Sequence, residues 1–116
     1  MLTMKIDGTP VQVEWEENTS VEALAALARE QPLEIAMSMY GRFEQVGPIG
    51  QSLPRDDAQT ATRAGDIVLY SGDQIVVFYG SNAWAYTRLG RIVDRTEAEL
   101  AALLGDHAVL LTLEVG

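Results

Sequence analysis

The sequence predicts a mainly β domain: a closed antiparallel barrel of eight strands, capped by two short α-helices. Three observations carry that expectation. Short apolar stretches alternate with period two and are divided by Gly, Pro and Asp turns, as half-buried strands require. Only two stretches have helical spacing, and each is opened by a capping box. The helices do not alternate with the strands, so a parallel βαβ sheet does not fit, whereas a sheet rolled onto itself removes its exposed edges.

Taken in order, "LTMKI" sets Leu2, Met4 and Ile6 on one face, and "VQVEW" repeats the pattern with Val11, Val13 and Trp15. Asp7-Gly8-Thr9-Pro10 between them supplies turn chemistry, which predicts an opening β-hairpin. In "NTSVEALAALAREQP", Thr19 reads as the N-cap with Glu22 reaching back three residues later, and Pro32 stops the helix near Gln31. "LEIAMSMY" returns to period two through Leu33, Ile35, Met37 and Met39, and Phe43 and Val46 extend or resume it after Gly41, which predicts a strand pair or a bent strand. Residues 47–65 show no period and read as a long loop with a short strand near Ile49 to Leu53. "DIVLY" and "QIVVFY" flank Ser71-Gly72-Asp73 and form a tight hairpin of two central strands. "WAYTRLGRIV" continues as strand with Gly90 at a bend or bulge. Thr96 and Glu99 make the second capping box, Leu100, Leu103 and Leu104 its buried stripe and Gly105 its C-cap; "AVLLTLEVG" closes the chain as a strand.

Composition narrows the function. The 116 residues suit one domain, 1–116, and 47% hydrophobic against 22% charged is an ordinary globular balance. Seventeen Asp and Glu against eight Lys and Arg give a net charge of −9, which repels phosphate backbones and argues against nucleic acid as a partner. No apolar run is long enough for a membrane span, and "MLTMKIDGTP" lacks the apolar core of a signal peptide, so a cytoplasmic protein without membrane partners is expected. Without Cys and with one His, the chain lacks the nitrogen and sulfur ligands of a zinc site, and no cofactor or metal is expected.

The string "GDIVLYSGDQIVVFYGSNAWAYTRLGRI", residues 65–92, resembles the core of the bacterial cyclophilin-like proteins, small stand-alone barrels of mostly unassigned role, with looser similarity over most of the chain. That family is similar in fold to true cyclophilins, eight-stranded barrels with a helix at each end. True cyclophilins carry a Gly-Ser-Gln-Phe-Phe strand, which "GDQIV" resembles. The resemblance implies that Gln74 matches the Gln that helps hold substrate backbone, and that Val76 stands where a pocket Phe would be. Trp84 lies eight residues beyond Val76, as the cyclophilin Trp does beyond that Phe, and "LGRI" resembles the following Phe-Gly-Lys-Val segment. The motifs that supply the catalytic Arg and the proline pocket are replaced here by "MYGRFEQVGPIGQ", in which Arg42 and Phe43 are the nearest chemical analogues.

These residues define the candidate site. Prolyl isomerisation needs an apolar proline pocket and an Arg donating to the twisted amide nitrogen, so Arg42 and Gln74 are the candidate catalytic pair. Phe43, Val76, Tyr79 and Trp84 are the candidate ligand-binding residues; the rings of Trp84, Tyr79 and Tyr86 could line a cleft or equally be barrel core, and since neighbours in a strand face opposite ways Phe78 and Tyr79 cannot both point inward. Arg88 and Arg91 read as surface charges pairing with the acidic majority, Asp66 and Asp73 as turn residues flanking a hairpin, Asp56-Asp57 as solvated, and His107 as part of the turn before the last strand. The leading expectation is a module binding a peptide or small molecule with little or no isomerase activity. The alternatives are a peptidyl-prolyl cis-trans isomerase and a structural role with the aromatics buried between subunits. Oligomeric state is not encoded in any of these patterns.

Overall fold

A computed structural model describes residues 1–116. It holds eleven strands and two helices, all strand pairings being antiparallel, in two sheets rather than one closed cylinder. The smaller sheet runs β2 (Thr9–Val11), β1 (Leu2–Ile6), β11 (Leu110–Val115), β4 (Leu33–Ala36). The larger runs β3 (Val13–Trp15), β10 (Ala83–Ile92), β8 (Asp66–Tyr70), β9 (Gln74–Phe78), β6 (Glu44–Pro48), β5 (Ser38–Tyr40), and β7 (Ala58–Ala61) adds to the N-terminal half of β10.

The expected eight-stranded closure is corrected by where two of the strands bend. "VQVEW" is not one strand: at Gln12 the N–H goes to the Asp94 carboxylate and the carbonyl to the Val93 N–H, so the ladder breaks and β2 and β3 join different sheets. "LEIAMSMY" splits the same way at Met37, whose N–H is taken by the Val109 carbonyl. The first break turns one expected strand into two, the second gives the strand pair that was one of the two readings of its segment, and each passes the chain from sheet to sheet as a corner. The loop strand is also displaced. It forms at Ala58–Ala61 against Ala83–Tyr86, while Ile49 and Leu53 are buried and hydrogen bonded to the Asp73 and Gly72 carbonyls without forming a strand.

The hairpins follow their turn residues. Asp7-Gly8 and Ser71-Gly72 both take positive φ at each position (49° and 79°, 52° and 74°), the mirror-image turn that matches strand twist. The bulge at Gly90 is present as a register shift between Arg88 and Gly90 against β8. Helix α1 (Thr19–Glu30) is capped by Asn18, not Thr19: the Asn18 side chain accepts from the Val21 N–H at 2.9 Å, and Thr19 is already inside the first turn. The cap therefore sits one residue earlier than expected and without the expected Thr19–Glu22 box, since Asn in extended conformation caps at least as well as Thr. Helix α2 (Glu97–Leu104) has the expected Thr96–Glu99 box and ends at Gly105.

The main core lies between the sheets and under the helices, gathering alternate residues such as Ile67, Leu69, Ile75, Val77, Leu111 and Leu113. The other face of the larger sheet is also covered. Val68, Val76, Phe78 and Tyr86 form a second apolar cluster there, with Phe43, Val46 and Tyr70 packed against it. Strands β8 and β9 are thus buried on both faces, which is why they read as unbroken apolar runs. The candidate site stands on that second cluster. No helix is long and apolar enough to cross a membrane.

Candidate functional site: an aromatic groove on the larger sheet

Period-two alternation decides what reaches the outer face. On β6, Glu44 and Val46 point outward, Glu44 being opposite Phe78 of β9 and Tyr40 of β5, while Gln45 turns into the main core. There Gln45 Nε2 donates to the Leu104 and His107 carbonyls at 2.7 Å, satisfying the carbonyl end of α2. On β8 and β10, Tyr70 and Tyr86 reach the same outer face as Glu44.

Together these residues shape a groove of about 810 Å³, larger than the next concavities of about 530 and 500 Å³, and of the size that takes small molecules. Half of its ten lining residues are aromatic: Tyr40, Phe43, Tyr70, Trp84 and Tyr86. Phe43 stacks on Phe78 with centroids 6.3 Å apart, and Tyr86 meets Phe78 edge-on at 5.7 Å, so the floor is a fixed aromatic array. Tyr40 and Trp84 stay 64% and 57% exposed, large apolar surface that the folded chain leaves uncovered beside the groove.

Polar groups in the groove are few. Gln74 and Asn82 contribute amides, and Asn82 Nδ2 donates to the Tyr86 hydroxyl at 2.9 Å. Burial pushes the Tyr86 phenol up, that hydrogen bond pulls it down, and the Glu44 carboxylate adds a smaller upward push. Glu44 itself is 6% exposed, with no cation and no hydrogen-bond donor at its carboxyl, and burial alone pushes it up to about 7.

Of the residues singled out in the sequence, Phe43, Gln74 and Trp84 meet at the groove. Val76 lies beneath it, 1% exposed in the cluster that supports the floor. Tyr79 faces the opposite way, against the main core and α2, where a Cβ on Gly105 would touch its ring at 3.3 Å. Arg42 is exposed on the Gly41-Arg42 turn, where both residues take positive φ, and it does not line the groove although both its neighbours do. Tyr86, expected with Trp84 to line a cleft, does line the groove, whereas Glu44 and Tyr70 were not foreseen. The signal for them was the unbroken apolar run of the two neighbouring strands, which requires that the outer face be covered.

Two further expectations are revised. Asp66 is no solvated turn residue: it is fully buried and accepts from the Arg63 N–H at 3.0 Å and from Arg91 at 2.9 Å, with Arg88 at 3.5 Å. Arg88 and Arg91 do pair with an acidic residue, but with one buried carboxylate rather than a solvated one. Asp57 is also held, by the Thr87 hydroxyl at 2.7 Å and by Arg55, and both lower its pKa. His107 does sit before the last strand, with its ring 2.8 Å from the Asp7 carboxylate, which raises the imidazole pKa.

Comparison with known proteins bears on the same fold. The model of the cyclophilin-like family matches residues 4–114, nearly the whole chain. Among solved structures, the solution structure of a hypothetical protein from Archaeoglobus fulgidus superposes with a TM-score of 0.63 at 19% identity, covering 99% of this chain and 93% of that one. At that identity the likeness is one of fold. No curated protein matches.

Proposed function

The chain belongs to the cyclophilin-like family, and from that membership we propose that it is a binding module whose outer-face groove takes a peptide or small molecule without isomerising it. The observation that carries the reading is the groove itself: five aromatic side chains gathered on one sheet face, two of them largely exposed. Free surface of that kind on a small domain marks a binding site more often than a packing accident.

Catalysis of prolyl isomerisation is the second reading, and Gln74 beside Trp84 favours it. Against it, the exposed position of Arg42 outside the groove leaves no guanidinium to donate to a twisted amide bound there. An assembly role is supported only by the exposure of Tyr40 and Trp84, and concentration-dependent light scattering tests it.

The decisive experiment pairs two measurements. A fragment and short-peptide screen read on the Trp84 indole N–H resonance is expected to find ligands whose effect is lost in Trp84→Ala. A protease-coupled proline-peptide assay is expected to show no acceleration over the uncatalysed rate. Acceleration abolished by Arg42→Ala would overturn the binding-only reading.

A further inference from the structure

Glu44 is the one charged residue lining the groove, and it is more than nine-tenths buried without an ionic partner or a hydrogen-bond donor. Every other acidic group held inside this molecule has its partner: Asp66 has Arg88 and Arg91, and Asp57 has Arg55 and Thr87. A carboxylate held largely out of bulk water, with only the mouth of the groove to solvate it, is costly unless paired, and the folded chain supplies nothing to pair it. Around it stand the rings of Tyr40, Phe43, Tyr70 and Tyr86, whose π faces carry negative charge density, with Trp84 also lining the groove.

We propose that the groove selects an organic cation, an ammonium or quaternary ammonium group carried on a small molecule, whose charge lies against Glu44 and whose alkyl groups lie on the surrounding aromatic faces. This deepens the binding reading above and rests on it. The two recognition elements act on the same chemical feature: the carboxylate supplies the counter-charge, and aromatic faces attract a cation within about 6 Å of the ring. An anionic ligand would meet the carboxylate with no basic residue in the lining to offset it. The net charge of −9 draws cations toward the protein at long range as well.

The same arrangement makes selection pH-dependent. With its carboxyl pushed up to about 7 by burial, Glu44 is largely neutral at pH 5.5 and largely charged at pH 8. The titratable groups facing it are Tyr40 on β5, Tyr70 on β8 and Tyr86 on β10, with uncharged Gln74 on β9, and burial pushes the Tyr86 phenol up, away from that window.

The test uses the intact chain and two isosteric probes, choline and neutral 3,3-dimethylbutan-1-ol, titrated against the Trp84 indole N–H. The Trp15 indole donates to the Leu2 carbonyl, away from the groove, and serves as an internal control for the fold. Choline is expected to bind at least about tenfold more tightly than its isostere at pH 8, and the ratio to shrink several-fold at pH 5.5. Glu44→Gln is expected to remove the preference at pH 8 with the Trp15 signal unmoved. Equal binding of the two probes at pH 8, or a preference that survives Glu44→Gln, would overturn the cation inference and leave the groove standing as a neutral site. Failure of both probes to move Trp84 would overturn the groove reading with it.

Discussion

Replacing Glu44 with Gln removes one titrating group from the apolar face of the larger sheet and keeps its shape. The ordinary carboxylate value is 4.5, and burial pushes Glu44 up to about 7. A carboxyl whose folded pKa is raised holds its proton more tightly in the native state than in the unfolded one. Its contribution is therefore favourable at and below the unfolded value and is lost as pH rises toward and through about 7. At 1.36 kcal/mol per pH unit the full loss is about 3 kcal/mol, of which roughly 2.5 kcal/mol falls between pH 5 and pH 8. Because the carboxyl opens onto the groove and keeps some solvent, that is a ceiling, and about 1–2 kcal/mol is the working expectation.

The assay is urea denaturation of wild type and Glu44→Gln at pH 5 and pH 8, followed by Trp fluorescence. The amide resembles the protonated acid, so the two proteins should differ little at pH 5, and the variant should be the more stable at pH 8. In a domain of this size the gain corresponds to roughly 4–8 °C in melting temperature. His107 acts in the same direction, since its folded pKa is raised by Asp7 and its contribution is also lost as pH rises through the folded value. Only the difference between the two proteins isolates Glu44. Stability curves that run parallel from pH 5 to pH 8 would refute the claim that this carboxyl is desolvated without a partner.

Three other substitutions probe the frame around the groove. Asp66→Ala strips the buried acceptor from Arg88, Arg91 and the Arg63 N–H and should cost about 3 kcal/mol in urea denaturation. Gly47→Ala places a Cβ 2.6 Å from Met37 Sδ, 2.7 Å from Ile35 Cγ2 and 2.9 Å from the Ala36 carbonyl, where the sheets meet, and should cost about 1–3 kcal/mol by the same measurement. Asp7→Asn keeps a residue that tolerates the φ of 49° and removes the charge 2.8 Å from the His107 ring, so an NMR titration should show the imidazole pKa falling toward its ordinary value.

The strand segments outside residues 47–65, both helices, the Asp7-Gly8 and Ser71-Gly72 hairpins and the Gly90 bulge were legible because each depends on residues close in sequence. Closure was not, because it depends on where a continuous period-two pattern bends. Nothing in "VQVEW" distinguishes a straight strand from one whose central Gln12 gives its N–H to Asp94, more than eighty residues away. The Asn18 cap was obscured for a smaller reason: "NTS" offers three capping residues in succession, and only the tertiary bond from Asn18 Nδ2 to the Arg88 carbonyl at 2.8 Å distinguishes the first.

The groove was half legible, and the missing half follows from one inference that alternation alone does not permit. In "RFEQVGP" a Glu on the outward phase of a strand reads as solvated, which is the rule for a sheet with one wet face. Yet "DIVLY" and "QIVVF" are apolar on both phases, so the outer face of β8 and β9 must be dry. Glu44 is in register with Phe78 on that face, so it inherits the dryness of its neighbour. Outward therefore means toward water only if the adjacent strands alternate too. A charged residue on the outward phase beside an uninterrupted apolar strand is a candidate for a desolvated, functional carboxyl, and Glu44 meets that condition while Glu34, on the outward phase of β4 and exposed, does not.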